Sequence, residues 1–192
     1  KVSFMNNLHV GIVLDGNRRF AKRLMKQPWK GHEYGAKKIE QLFDWCKELN
    51  IRELTLYCLS LENFNRPKKE FNYLMKLFKD EAKKLLSDSR IEKNKIKFRF
   101  IGKINLLDKE LQKLIFEIEK KSENYKNYRI NFAMAYGGRQ ELIEAVKRLK
   151  NSNEKINEKN FEKYLWLKSN PDLIIRTGGE KRTSNFLPWQ SA

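Results

Sequence analysis

The stretch Asp15-Gly16-Asn17-Arg18-Arg19-Phe20 has the residue types of a phosphate-binding turn. The apolar run Val10 to Leu14 before it reads as a buried strand, and the basic residues after it read as a helix. In open α/β sheets, ligands bind just past the carboxyl end of a strand, where a helix N-terminus meets the crevice. Backbone N–H groups and the helix dipole there attract an anion such as a phosphate. Gly16 has no Cβ and lets the backbone come close to that anion. Asp15 beside an anion is repulsive unless a cation sits between them. The simplest reading is a diphosphate site at which Asp15 holds Mg²⁺.

Three further segments fall at predicted strand ends: Ser60 to Pro67, Tyr136-Gly137-Gly138-Arg139, and Arg176 to Phe186. Each alone is weak, since Gly-Gly also serves a tight turn and a single arginine also suits a surface. Together they bring arginines, glycines and hydroxyls to one edge of a sheet. Arginine forks clamp phosphate oxygens in pairs, so Arg176 and Arg182 with Ser184 read as a second phosphate site, distinct from the one at Gly16–Arg19. Rival chemistries lack their motifs: there is no G-x-x-x-x-G-K-[ST] and no G-x-G-x-x-G. Cys46 and Cys58 lack metal spacing, which argues against zinc. Of the two histidines, His9 reads as capping or packing before the first strand. His32 follows a basic loop and is open either to an anion contact or to plain packing.

The elements that must carry these residues alternate. Strands are predicted at Val10–Leu14, Glu53–Leu59, Ile96–Ile101, Arg129–Ala135 and Leu173–Arg176. Helices are predicted at Arg18–Leu24, Tyr34–Leu49, Pro67–Ser87, Leu107–Ser122, Arg139–Lys150 and Glu158–Leu167, with Lys26–Gly31 a break at Pro28 and Asn151–Asn160 a polar connection. The expected fold is one α/β domain over residues 1–192, a central and mostly parallel sheet flanked by helices. In the second helix, Ile39, Leu42, Phe43, Cys46 and Leu49 have the spacing of a core face. The apolar stripe of the third helix, from Phe71 through Leu74, Leu77, Phe78 and Leu85, is wider than one face needs. The surplus is either simply buried or lines an apolar cavity.

Composition narrows the partners. The net charge is +17 over 192 residues. It reflects either a generally lysine-rich surface or attraction to polyanions such as nucleic acid, anionic lipid or phosphorylated small molecules. Residues 16–31 favour the second, with Arg18, Arg19, Lys22, Arg23, Lys26 and Lys30 and no acid. Two cysteines placed on apolar faces suggest a reduced, cytoplasmic protein. No apolar run approaches the roughly 18 residues of a spanning helix, and no signal peptide is visible. The chain starts at Lys1 rather than Met, so preceding residues are expected.

With these residues in view, the chain resembles the cis-prenyltransferase family of the undecaprenyl diphosphate synthase type, archaeal-like members included. The resemblance runs from His9 to the last residue. It rests on His9-x5-Asp15-Gly16-Asn17-Arg18-Arg19-Phe20-Ala21, Gly31-His32-x2-Gly35, Leu56-Tyr57-x2-Ser60-x-Glu62-Asn63-Phe64-Asn65-Arg66-Pro67, Asn131-x4-Tyr136-Gly137-Gly138-Arg139 and Asp172 through Arg176-Thr177-Gly178-Gly179-Glu180-x-Arg182-x-Ser184-Asn185-Phe186. It implies an Mg²⁺-dependent enzyme that adds isopentenyl diphosphate to an allylic diphosphate primer, farnesyl or geranylgeranyl, with a new Z double bond each cycle. It implies catalytic roles for Asp15, as metal holder, and for Asn63. Gly16, Asn17, Arg18, Arg19, Phe20 and His32 would hold the allylic substrate, with Arg66 close by. Arg176, Arg182 and Ser184 would hold isopentenyl diphosphate. Ser60, Asn63 and Phe64 would shape the reacting ends, and the third helix would wall an apolar tunnel above the sheet. A homodimer and transient contact with the inner membrane face for product release follow from the same resemblance.

The chain departs from the family's pattern in places. Arg18 stands where Gly is frequent, and Phe20 and Phe64 where Trp is frequent. Pro28 replaces an arginine four residues before His32, which shifts that role to Lys26, Lys30 or Arg18. Tyr128 falls near the expected floor of the tunnel. The family's usual tail beyond Trp189-Gln190, with an acidic metal ligand and part of the dimer interface, is expected but not in this sequence. Alternatives are prenyl transfer to another acceptor, disfavoured by the Arg176–Ser184 motif; a non-catalytic partner subunit, disfavoured by Asp15; and nucleic-acid binding, for which no recognition motif appears.

Overall fold

The computed structural model describes residues 7–25, 27 and 30–192, apart from the side chains of Lys22, Lys37, Ile39 and Glu40. Lys26 and Pro28 lie outside the described residues. The alternating apolar runs become five strands: β1 (Leu8–Val13), β2 (Ile51–Tyr57), β3 (Ile96–Ile101), β4 (Tyr128–Ala133) and β5 (Leu173–Arg176). They form one sheet in the order β3-β4-β2-β1-β5. All four pairings are parallel. β3 and β5 cover the residues predicted for them. β1, β2 and β4 begin and end one or two residues earlier than their apolar runs, because the chain leaves the ladder early to build the loops of the site. The Cys58 and Leu59 amides still donate to Ala133 O at 3.1 and 3.2 Å after β2 has ended.

Successive strand side chains point to opposite faces. Val10 and Ile12 of β1, Leu54 and Leu56 of β2, Phe98 of β3 and Ile130 of β4 share one face, where they bury against Leu74, Met75, Leu111, Ile115 and Ile118. Val13, Tyr57, Ile101 and Ala133 point the other way, onto Tyr136, Leu167, Phe186 and Leu187. Each of the fully buried aliphatic side chains contributes roughly 1.5–3 kcal/mol over its exposed state. His9 packs, as one of its two readings had it: it is buried, and its Nε2 lies 2.7 Å from Thr55 Oγ1.

The helices are α1 (Asn17–Arg23), α2 (Gly31–Glu48), α3 (Lys68–Ser87), α4 (Ser89–Asn94), α5 (Lys109–Ser122), α6 (Gly138–Lys150) and α7 (Glu158–Glu162). α1, α3, α5 and α6 lie within two residues of their predicted bounds, and three helices differ by more or were not expected. α2 begins at Gly31 rather than Tyr34, because it starts against α1: a Cβ at Gly31 would lie 1.8 Å from the Asn17 carbonyl oxygen. On its apolar face Cys46 is buried and Leu42 and Phe43 are half-buried, but Leu49 is 61% exposed at the C-cap, and the Ile39 side chain lies outside the described set. α4 was not expected. It is short and polar, and it exists because the Asp88 carboxylate caps it by accepting from Arg90 N at 2.8 Å and Ile91 anchors it in the core. α7 stops at Glu162 instead of Leu167, since Leu165 and Leu167 turn inward and Leu167 N donates to Glu141 Oε1 at 2.9 Å.

Candidate active site

The four flagged segments converge at the C-terminal edge of the sheet, as the switch-point rule requires. There they open a cavity of about 1290 Å³. Its mouth is polar, with Asp15, Asn17, His32, Ser60, Asn63, Arg66, Arg176, Arg182 and Ser184 in its wall. Its interior is apolar and runs between α2, α3 and the sheet, past Phe43, Leu77, Phe78, Leu85, Phe100 and Phe132. The wide stripe of α3 is thereby explained: Leu74, Leu77, Phe78, Ala82 and Leu85 face this space.

Asp15 follows β1 directly. Its Oδ2 accepts from Arg176 Nη2 at 2.8 Å and Nε at 3.2 Å, and from Arg19 Nη2 at 3.3 Å. Its Oδ1 accepts from Gly16 N at 2.6 Å. Burial works to raise the Asp15 pKa, but the Arg176 and Gly16 hydrogen bonds and the Arg176 and Arg19 charges outweigh it and hold the carboxyl below its ordinary value. It is therefore a carboxylate at neutral pH. Gly16 has a φ of 95° and passes so close to the β5 end that a Cβ on it would lie 3.2 Å from Gly178 Cα. Thr177 locks the same approach: its hydroxyl donates to Asp15 O at 2.6 Å and accepts from Asp15 N at 3.0 Å.

Arg176 joins the two expected anion sites. Besides Asp15, its Nη1 donates to Ser184 Oγ at 2.7 Å and to Arg182 O at 2.5 Å. Glu180 accepts from Arg182 Nη1 at 2.6 Å and from Arg19 Nη1 at 3.4 Å. Ser184 and Asn185 hold left-handed φ of 50° and 61°, which costs energy for residues with a Cβ. Their neighbours enforce it: Gly138 N donates to Asn185 O at 2.8 Å and Arg139 N to Asn185 Oδ1 at 2.9 Å.

Across the mouth, Arg66 Nη1 donates to Glu70 Oε1 at 2.9 Å and to His32 Nε2 at 3.4 Å. A guanidinium cannot accept, so Nε2 is the accepting nitrogen and Nδ1 carries the proton. Burial first, then the Arg66 and Arg18 charges, lower the His32 pKa to about 4 against the pull of Glu70. His32 is neutral at pH 7. Arg18 Nε stands 3.5 Å from the same Glu70 oxygen. Asn63 accepts from Ser60 N through Oδ1 at 3.0 Å, which turns the amide's oxygen away and leaves its NH₂ as the donor end.

Five expected positions, Gly16, Arg18, Arg19, Phe20 and Phe64, are not in the cavity wall. Phe20 is 44% exposed and meets Tyr34 edge-on, with ring centroids 5.4 Å apart. Phe64 packs on Phe71 at 4.9 Å. Tyr128 begins β4, as expected, and is not in the wall of this cavity. It lines a second, smaller cavity at the other end of the sheet, under the Arg52 guanidinium at 5.0 Å. Conversely, Glu70, Thr177 and Asn185 order the site without having been singled out. Glu70 had a readable signal, four residues after Arg66 and so one helical turn away.

No group of three or more His, Cys, Asp or Glu among the described residues is arranged to hold a metal. The acid facing the cavity at the β1 end is a single ionised carboxylate with arginines opposite. Mg²⁺ is commonly held through one or two carboxylates with substrate phosphates and water supplying the rest, so the donor set fits that ion in company with a diphosphate. Cys58 lines the cavity too, but burial pushes its thiol up to about 12, so it offers no thiolate.

Residues 13–192 match the family model for undecaprenyl diphosphate synthase, Prenyltransf. The chain belongs to the undecaprenyl diphosphate synthase family. A Thermococcus kodakarensis relative, named tritrans,polycis-undecaprenyl-diphosphate synthase (geranylgeranyl-diphosphate specific), is 44% identical over 96% of this chain and 73% of its own length. A relative of the same name from Archaeoglobus fulgidus is 42% identical over 96% of this chain and 77% of its own length. Among solved structures, lavandulyl diphosphate synthase from Lavandula x intermedia, in complex with dimethylallyl diphosphate, superposes with a TM-score of 0.86 at 34% identity over 95% of this chain and 82% of that one. A probable undecaprenyl diphosphate synthase from Campylobacter jejuni gives 0.82 at 34% identity over 97% of this chain and 82% of that one.

Proposed function

We propose that the protein is a prenyl transferase that lengthens an allylic diphosphate with isopentenyl diphosphate, in Z configuration, to a long polyprenyl diphosphate. The observation that carries this reading is the cavity: arginines and a carboxylate at the mouth, hydrocarbon side chains along the interior. That is the shape of a guest with an anionic head and an apolar tail. The names of the archaeal relatives favour geranylgeranyl diphosphate as primer.

In each cycle the allylic C–O bond breaks, diphosphate leaves, and the allylic carbon bonds to the terminal alkene carbon of isopentenyl diphosphate. A proton is then lost as the new double bond forms. Gly16, Asn17, Arg18 and Arg19 bind the departing diphosphate, with the neutral His32 donating from Nδ1 and Arg66 beside it. Arg176, Arg182 and Ser184 bind the isopentenyl diphosphate. Asp15, Ser60 and the Asn63 amide stand between the two heads. In the free protein Asp15 and Arg176 neutralise each other; bound, each turns to an opposite charge on a substrate or its counter-ion. Asp15 would hold Mg²⁺, which when bound would supply Lewis-acid stabilisation of the leaving diphosphate. Phe20 and Phe64 support the head-group loops from behind.

The proposal includes a homodimer, supported by the exposed apolar pair Ile143 and Val146 on α6, each 55% accessible. It includes a cytoplasmic location, supported by the free thiols of Cys46 and Cys58. Among the described residues no helix is long and apolar enough to cross a membrane. Brief contact with the anionic inner leaflet, favoured by the +17 charge, would then release the product.

The test is incubation of the full-length protein with labelled isopentenyl diphosphate, Mg²⁺ and either geranylgeranyl or farnesyl diphosphate, resolving chain lengths. A ladder of Z-prenyl products, strongest from geranylgeranyl diphosphate and lost with chelator, is the expected result. Asp15→Ala should slow turnover by roughly 10²–10⁴-fold. Primer left intact by folded protein would refute the reading.

A further inference from the structure

Three large apolar side chains stand in solvent at the end of α1. Phe20 is 44%, Leu24 42% and Met25 98% exposed. Phe20 and Leu24 are four residues apart and so share a side of the turn. Met25 follows in a left-handed conformation, with φ 52°, which a residue with a Cβ adopts at a cost. Packing within the protein does not recover that cost, since almost the whole Met25 side chain is in water. A cleft of about 520 Å³ lies alongside, lined by Met25, Gln27, Lys30, Glu33 and Tyr34, and Tyr34 is the ring that meets Phe20.

Positive charge accompanies these groups. Residues 16–31 carry six arginines and lysines and no acid. Arg18 and Arg19 turn toward Glu70, Asp15 and Glu180, whereas Arg23 is exposed beside Leu24. Glu33 in the cleft is held by Lys30 Nζ at 3.2 Å and by the Tyr73 hydroxyl. Apolar side chains set among arginines and lysines suit the headgroup boundary of an anionic bilayer, where the chains enter the acyl edge and the cations meet phosphate. Other exposed apolar positions lack this setting: Phe116 on α5 has Glu117 and Glu119 beside it, and Ile143 and Val146 on α6 flank Glu144. Place adds to chemistry. Asn17 at the start of α1 and His32 in the first turn of α2 line the polar mouth of the large cavity, and Gly31 seats α2 directly on α1. The corner between the two helices therefore borders the opening that a hydrocarbon-tailed diphosphate enters and leaves.

We infer that the Phe20–Leu24–Met25 corner is a docking edge for an anionic lipid bilayer. It seats the mouth of the cavity against the membrane, so that a prenyl diphosphate passes between the two without its tail crossing water. The exchange role rests on the synthase reading above; the docking does not.

The test is co-sedimentation of the full-length protein, without substrate, with vesicles of phosphatidylcholine alone and of phosphatidylcholine mixed equally with phosphatidylglycerol. Binding to the mixed vesicles is expected to exceed binding to the neutral ones. Leu24→Gln/Met25→Gln should weaken binding to the mixed vesicles by about tenfold or more, since two apolar side chains no longer enter. Arg23→Gln should weaken it by about fivefold, and Phe116→Gln on α5 should leave it unchanged. Leu24 and Met25 are exposed and outside both head-group sites, so incorporation of isopentenyl diphosphate by the double variant in detergent should stay within about twofold. Met25→Trp gives a second readout: on mixed vesicles its emission should shift to the blue and be quenched by brominated lipid, beyond any change in the unaltered protein. Equal vesicle binding by the double variant and the unaltered protein, loss of binding with Phe116→Gln instead, or an unshifted Met25→Trp overturns the docking edge and leaves the synthase reading standing. An unaltered protein that makes no product ladder overturns the exchange role, whatever it binds.

Discussion

Glu70 is 3% exposed on the first turn of α3, and its carboxylate faces Arg66 at 2.9 Å, Arg18 at 3.5 Å and His32 Nε2 at 3.9 Å. A charge that deep persists only when paired, and here the pairing does a second job. Holding Arg66 also aims it at His32, whose Nε2 must accept and whose Nδ1–H is thereby free to face an anion. Glu70 touches no substrate in this arrangement; it is a positioning residue. Charge-assisted hydrogen bonds contribute about 1.5–3 kcal/mol, and 1.4 kcal/mol is tenfold in binding. Glu70→Gln is therefore expected to raise KM for the allylic diphosphate about tenfold while kcat stays within threefold, read by steady-state kinetics at saturating isopentenyl diphosphate. A KM that is unchanged or lower would mean that the extra positive charge matters more than the lost alignment. The motif reading found the partners of this carboxylate, Arg66 and His32, but not the carboxylate, because its one signal, the four-residue spacing from Arg66, suits an ordinary surface ion pair equally well until burial is known.

At the scale of elements, legibility followed local periodicity. β3 and β5 were readable to the residue, since Ile96–Ile101 and Leu173–Arg176 are short β-rich runs with polar flanks. α4 was not, because five polar residues around a single isoleucine carry no period and only the Asp88 cap and the burial of Ile91 make them a helix. The end of α7 was misjudged because Leu165 and Leu167 obey tertiary packing on Glu141 and the second core rather than helical spacing. The start of α2 was misplaced for a reason no propensity contains: its first turn is defined by contact with α1. Gly31 is the point of that contact, with the Asn17 carbonyl and Ala21 Cβ next to any added methyl. Gly31→Ala must push α1 away from α2, and α1 carries Arg18 and Arg19. Overpacking of this kind costs about 1–3 kcal/mol. The expected outcome is a lowered thermal midpoint together with weakened binding of geranylgeranyl diphosphate measured by calorimetry, while binding of isopentenyl diphosphate near β5 changes less. Equal loss at both sites would show that the two head-group loops move as one.

For the whole molecule, the question is how a chain with a +17 balance stays folded around a cluster of arginines, and pH reveals part of the answer. His9 and His32 are both held below the ordinary imidazole value, His32 at about 4 from 6.5, in each case chiefly by burial. The unfolded chain takes up protons at these rings below about pH 6.5, and the folded chain does so only at lower pH. Stability therefore rises with pH through this window and falls as acid is added from about 6.5 toward 4. For His32 the loss is on the order of 3 kcal/mol, at about 1.4 kcal/mol per pH unit of separation. Glu141 works in the opposite sense. Burial raises its pKa despite the Tyr136 hydroxyl at 2.5 Å, so the folded state keeps its proton longer than the unfolded chain and gains stability from it as pH falls. Self-repulsion of the basic surface grows on acidification and would mimic the histidine effect. The difference between proteins separates the two. Urea unfolding of the unaltered protein and of His32→Gln, measured from pH 7.5 to 4, should give curves that diverge below pH 6.5, with the variant losing less stability by an amount on the order of 3 kcal/mol at pH 4. Parallel curves would assign the acid sensitivity to the net charge, and would mean that His32 is solvated enough to take its proton in the folded state.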